Sequence, residues 1–158
     1  MLSRSSASPT ERVATFLNAN PDESMTTFSA DLSIPLGALV FWMLVLTGKH
    51  ILCDFLLQTR WMALGKDAPK GWAMPLLVHC AIHGVVTTLG LLVLAPQFWF
   101  LGLVDFGIHL GVDRAKGYCV ATFRLTGQDA WFWWLLGIDQ AIHHLTDFGL
   151  AVLLAANR

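Results

Sequence analysis

A chain of 158 residues is enough for one domain, and its composition is 55% hydrophobic against 13% charged, with a mean hydropathy of +0.58. That is too apolar for an ordinary soluble domain, and a formal net charge of −1 supplies no basic field to attract nucleic acid. Cys53, Cys80 and Cys119 form no CxxC pair and lie in or beside apolar stretches, so they read as small buried thiols and not as a disulfide framework.

Residues 1–33 are rich in Ser, Thr, Asn and Pro and read as a polar, mobile tail. They hold no apolar run of signal-peptide length. Glu11 to Asn18 offers at most a brief surface helix, and Met25 offers an alternative translation start. Residues 34–158 read as a four-helix transmembrane domain, with spans at about 35–58, 72–95, 98–116 and 131–155. Helices are the form expected, because stretches of this length in lipid must satisfy their backbone groups internally. The expected fold is therefore all-α: four transmembrane helices, short loops and a polar N-terminal tail, with Pro96-Gln97 as a tight turn between the second and third spans.

The loops predict an orientation. Arg60, Lys66 and Lys70 fall in the first loop, Arg114, Lys116 and Arg124 in the third, and no cation in Pro96-Gln97. The basic loops are expected in the cytoplasm and both termini outside. Trp61, Trp72, Trp131, Trp133 and Trp134 flank the basic loops, as an interfacial belt would. Arg4 and Arg12 in the tail run against this assignment.

Each span carries a pair of His or Asp residues one helical turn apart: His50 and Asp54, His79 and His83, His109 and Asp113 (preceded by Asp105), and Asp139 and His143. Residues at i and i+4 share a helix face, and ionisable groups inside a membrane mark function by default. At 1.5 Å per residue, Asp54 lies about 7 Å from the cytoplasmic end of its span, His79 and His109 about 10 Å, Asp139 about 12 Å, His50 about 13 Å, and His83, Asp105 and His143 about 16–18 Å. Helix directions alternate, yet all fall in one layer of the cytoplasmic half. One shared centre explains that better than scattered substitutions.

Imidazole nitrogen and carboxylate oxygen suit a divalent ion such as Zn, Fe or Mn, and an i, i+4 pair can place two donors on one ion. A bound cation also offsets the cost of burying aspartates. The expected ligands are His50, Asp54, His79, His83, Asp105, His109, Asp113, Asp139 and His143, enough for one ion or two. Asp54 and Asp113, nearest the cytoplasmic surface, are the candidate general bases. His144 lies about 100° around the helix from His143 and is expected to serve as a helix–helix partner. Asp147 reads equally as an outer carboxylate of the site or as a helix-end residue. Lys49 and Lys116 are expected to snorkel or to neutralise carboxylates, and Gln58 and Gln140 to tie helices or orient ligands.

These segments resemble a bacterial integral-membrane family known as domain of unknown function 3307. The resemblance rests on His50-x-x-x-Asp54-Phe55-x-Leu57-Gln58, His79-x-x-x-His83, His109-x-x-x-Asp113-x-x-Lys116 and Asp139-Gln140-x-x-His143, which occupy about residues 45–150. It implies a compact four-helix protein of the bacterial inner membrane and brings no established reaction. Asp105, His144, Asp147 and the tail fall outside those motifs. The expected function is a metal-dependent membrane hydrolase acting on a lipid-like substrate. The alternatives are a proton or metal-ion conductor and a small accessory subunit of a larger membrane complex, associated with haem or pigment. The expected partners are the bilayer and a larger complex or further copies of the chain, with no nucleic acid.

Overall fold

The computed structural model describes residues 33–157. The expected tail at 1–33, apart from Ser33, and the brief helix at 11–18 lie outside the described residues. Four long helices and one short one make up the rest, with no strand among the described residues.

Helix α1 (Leu36–Ile51) starts after Pro35 and runs into a wider π-helical turn, Leu52–Leu57. Helix α2 (Arg60–Gly65) is one short piece inside the first loop, capped by the Thr59 hydroxyl, which accepts from Met62 N at 3.4 Å. Helix α3 (Ala73–Leu94) stops just before Pro96, which opens a 3₁₀ turn over Pro96–Phe98. Helix α4 (Leu101–Phe123) closes with Arg124 in the left-handed region at φ 52°, its N–H bonded to Val120 O. Helix α5 (Ala130–Ala156) follows a turn in which Asp129 Oδ2 accepts from Thr126 N at 2.8 Å.

The four expected spans correspond to α1 with its π turn, α3, α4 and α5. The third runs seven residues past Lys116, so Arg114 and Lys116 are helix residues and not loop residues. The stretches Leu36–Leu57 and Ala73–Leu94 are long and apolar enough to cross a membrane. Helices α4 and α5 do not meet that test, and each carries its charges within its middle turns: Asp105, Asp113, Arg114 and Lys116 on α4, Asp139 and Asp147 on α5.

Helices α3 and α4 approach most closely where Gly84 faces Gly102. A Cβ at Gly84 would lie 2.9 Å from Gly102 O, and one at Gly102 would lie 2.7 Å from Gly84 O. Small residues permit this approach of two backbones.

The interior has two halves. Near the Pro96 turn, Ala38, Trp42, Leu46, Leu91, Leu101, Leu150 and Leu154 form an apolar cluster. The other half is filled with His, Asp and Lys side chains. The outer surface is the reverse: Val93, Phe55 and Leu36 are 81%, 76% and 74% exposed. Cys53 and Cys80 are buried and Cys119 is half-buried, all three as free thiols.

Candidate metal centre

The one-turn pairs prove to be segments of longer ladders. Helix α3 presents His79, His83 and Thr87 inward; α4 presents Asp105, His109 and Asp113; α5 presents Asp139, His143 and Asp147. All nine are buried. From α1 come Lys49 and His50, and from the π turn comes Asp54.

Asp54 is the joint between helices. Its Oδ1 lies 3.0 Å from His83 Nε2 and 3.6 Å from His79 Nε2, and its Oδ2 lies 3.3 Å from His50 Nε2. Gln140 Nε2 reaches Oδ2 at 3.4 Å, and Gln58 Nε2 donates to the Asp54 carbonyl at 3.1 Å. π turns are rare and concentrate at functional sites. Here the turn supplies the one carboxylate that contacts three imidazoles and no ammonium group.

The imidazoles pack on one another. Ring centroids of His83 and His109 are 3.9 Å apart, those of His109 and His143 4.1 Å apart and nearly parallel, and His50 lies 5.2 Å from His83. Rings this close leave no slot for a macrocycle between them.

Lysines hold the remaining carboxylates from outside. Lys49 Nζ donates to Asp105 Oδ2 at 2.9 Å and lies 3.5 Å from Asp147 Oδ1. Thr87 Oγ1 donates to the same Asp105 oxygen at 2.6 Å. Lys66 Nζ donates to Asp113 Oδ1 at 2.9 Å, and Lys116 Nζ to Asp113 Oδ1 at 3.3 Å and Asp139 Oδ2 at 3.2 Å. In each of Asp105, Asp113 and Asp139 a lysine takes one oxygen, and the other is buried without a hydrogen bond. Those second oxygens face imidazoles: Asp105 Oδ1 is 3.1 Å from His109 Nδ1, Asp113 Oδ2 is 3.4 Å from His79 Nε2, and Asp139 Oδ1 is 3.5 Å from His143 Nε2. The last two pairs are close enough for an ion pair but too poorly aligned for a hydrogen bond. Also buried without hydrogen bonds are both nitrogens of His50, His109 Nε2, and Nδ1 of His79, His83 and His143. Buried polar atoms in such number call for a partner.

Three groups of donor atoms lie within 4.8 Å of one another: His50, His83 and His109; Asp54, His79 and His83; Asp113, Asp139 and His143. Two donors each about 2.1 Å from one ion can be at most about 4.2 Å apart, and the Asp54–His83 and Asp54–His79 separations satisfy this. His83 joins the first two groups into one five-residue set. Of the nine expected ligands, Asp105 alone is in no group. Its Oδ1 lies 3.1 Å from His109 Nδ1, and its carbonyl is hydrogen-bonded to that nitrogen at 3.1 Å, which turns His109 Nε2 toward the centre.

The first loop also contributes residues to this end of the centre. Lys66 is buried, and Asp67 Oδ2 lies 3.9 Å from Lys116 Nζ. Gly117 makes this possible, because a Cβ there would lie 2.9 Å from Lys66 O. Burial pushes the Asp67 carboxyl above its ordinary 3.8, against the pull of Lys116 and Lys66. With Lys66 and Lys116 engaged inside, the cations left at that end are Arg60, Lys70, Arg114 and Arg124, and Arg114 lies 3.9 Å over the Trp72 ring.

Asp147 joins the centre through Lys49 and through His50 Nδ1 at 3.5 Å. The i+4 ladder through Asp139 and His143 carried that signal, as the one through His79 and His83 did for Thr87; nothing in the spacing pointed to Lys66 or Asp67. His144 is exposed and has no hydrogen bond among the described residues, although its ring lies 5.2 Å from that of His50. Asp113, expected near the surface, is fully covered by Lys66 and Lys116. Asp54 lines an open cleft of 330 Å³ with Gln58, Lys66, Asp67, Lys116 and Gln140.

Two comparisons with known proteins give no relative: no curated protein and no solved structure matches the chain. The profile of one family, described as "Protein of unknown function (DUF3307)", matches residues 40–155, which include every helix that builds the centre.

Proposed function

The chain belongs to the DUF3307 family, and we propose that it is a membrane-embedded metalloprotein whose buried centre holds one divalent ion on His50, Asp54, His79, His83 and His109. The carrying observation is the distribution of charge. Asp113 and Asp139 face Lys66 and Lys116 and are balanced by them. Asp105 and Asp147 share Lys49, and Asp54 faces no ammonium group, an excess of two negative charges around the imidazoles that still lack hydrogen bonds. One divalent ion offsets that excess and gives those nitrogens a partner. The mixed nitrogen and oxygen set fits Zn, Fe or Mn.

The membrane reading is supported by the inverted distribution of side chains. Only 33% and 39% of the two most apolar stretches are buried inside the protein, whereas the core helix of a soluble protein would be mostly buried. Large apolar side chains cover the outside, and a bilayer is the solvent that accepts them. Exposed Trp61, Trp131, Trp133 and Trp134 lie at the basic end, as an interfacial belt would. On this reading all four long helices span, α4 and α5 being admitted because their charges are paired inside. The basic end lies in the cytoplasm of a bacterial inner membrane.

Hydrolysis of a lipid-like substrate is the reaction class that such a centre serves best. The ion supplies Lewis-acid chemistry when bound. Asp54, the donor that lines the open cleft, would orient a water there by accepting a hydrogen bond from it. Asp113, held by two lysines, orients its neighbours. The stacked imidazoles favour a second reading, a proton relay. Against it stands the apolar cluster around Trp42 and Leu154, which closes the other half of the bundle.

Elemental analysis of detergent-purified protein tests the proposal. One divalent ion per chain is expected, lost in His83→Ala and His79→Ala and retained in Asp113→Asn, with helix content unchanged. Folded wild-type protein without stoichiometric metal would overturn it. Loss in Asp113→Asn together with retention in His83→Ala would move the ion to the other donor group.

A further inference from the structure

Helices α4 and α5 lie side by side and are joined by the Lys116–Asp139 contact. Between them runs an apolar groove of 470 Å³, walled by Ile108, Gly111, Ala115, Cys119, Leu135 and Ile138. Its wall is low on the α4 side because of Gly111 and Ala115, one turn apart, and a Cβ added at Gly111 would meet nothing within 4 Å. The groove continues into a second apolar hollow that shares Cys119 and Leu135 and ends at Phe123, Leu125 and Trp131. From Ile108 to Phe123 is roughly 22 Å at 1.5 Å per residue. The groove touches the charged interior at one place. Lys116 and Asp139 line it, and Lys116 also lines the polar cleft that contains Asp54.

We infer that this groove holds one acyl chain of a membrane lipid, with the lipid's polar head turned past Lys116 into the cleft beside Asp54. The inference rests on the membrane reading above and specifies the substrate of that site as a glycerolipid admitted sideways from the bilayer. Length and polarity both select the occupant. From Ile108 to Lys116 the groove runs roughly 12 Å at 1.5 Å per residue, most of the half of a hydrocarbon core about 30 Å thick that an acyl chain in one leaflet spans. The head meets ammonium, amide and carboxylate groups at the one point where an apolar wall gives way to a polar one. Gln58, Gln140 and Lys66 supply donors there for ester and phosphate oxygens. A helix of a second chain would fill the apolar groove equally well, but it would bring no polar group to the adjoining cleft beside Asp54.

The test uses the full chain in phosphatidylcholine vesicles doped with a phosphatidylglycerol that carries a diazirine in one acyl chain. Photolabel is expected on the groove residues of α4 and α5, several-fold above the outer faces of α1 and α3. Gly111→Trp and, independently, Ala115→Leu are expected to remove it while metal content and thermal transition stay unchanged. Label spread evenly around the bundle, or undiminished in both folded variants, would overturn the inference. So would cross-linking of two chains through Cys119, which would make the groove an interface between copies. Protein released from the vesicles by alkaline carbonate would instead defeat the membrane reading itself, a result that none of the labelling outcomes can produce.

Discussion

The two halves of this bundle are held together by different forces. Around Trp42, Leu46, Leu91 and Leu154 the helices meet through apolar side chains. Around His50, Asp54, His83 and Asp105 they meet through charge. In water the first half would supply most of the stability. In a bilayer the tails are as apolar as leucine, so the first half contributes only packing and the second half becomes the glue. The comparison therefore has a solvent written into it, and ranking the costs of single substitutions reads that solvent out.

The largest cost is expected for Lys49→Met. It strands Asp105 and Asp147 without their ammonium partner, and breaking a buried pair from one side costs about 3–5 kcal/mol. Reversible unfolding in mixed micelles measures it; a loss under 1 kcal/mol would mean that Asp105 and Asp147 are neutral in the folded protein. Next comes Thr87→Val, which removes the 2.6 Å bond to Asp105 Oδ2 and is expected to cost about 1.5–3 kcal/mol, the range for a hydrogen bond to a charged group. In the apolar half, Leu154→Ala is expected to cost about 1–2 kcal/mol in a bilayer, where only cavity and dispersion are lost. In a water-soluble protein the same truncation costs roughly 2.7–5 kcal/mol. A Leu154→Ala cost above that of Lys49→Met would reverse the ranking and place the bundle in water.

The smallest effect expected is that of pH on the docked first loop. The folded protein holds the Asp67 proton to higher pH than the unfolded chain does, because burial raises its carboxyl above 3.8. That increment of stability is present below the unfolded value and is lost as pH rises through the raised one. Asp67→Asn is expected to flatten this slope in a thermal-shift series across the acidic range. A slope unchanged in the variant would assign it to another group.

The four long helices and their order were legible in the sequence because apolar runs of this length admit little else. Eight of the nine expected ligands fall within groups that can share an ion, for the reason that one-turn spacing fixes a face. Spacing reports a face and not an oxygen: Asp105 sits in the ladder, but Lys49 and Thr87 both engage its Oδ2, and its Oδ1 faces His109. The burial of Lys66 was not legible, because a lysine between spans is ordinarily a solvated charge. Its burial depends on Gly117 letting a loop lie against α4, a long-range contact with no local signature. The π turn at Asp54 was equally invisible, since Leu52–Leu57 has the composition of plain helix.

The division of the long helices into two apolar ones and two charge-bearing ones has a consequence for how such a protein is made. Helices α1 and α3 meet the requirement for a span as single stretches; α4 and α5 do not. A charged residue at the centre of a lone helix costs about 2.5–3.5 kcal/mol to insert. On the membrane reading, the first hairpin enters lipid on its own hydropathy and carries Lys49 with it. Asp105, 56 residues later in the chain, is then received by a counter-ion already in place. The buried ion pairs are thus a timetable as well as a scaffold: the early helices are the solvent in which the late ones dissolve.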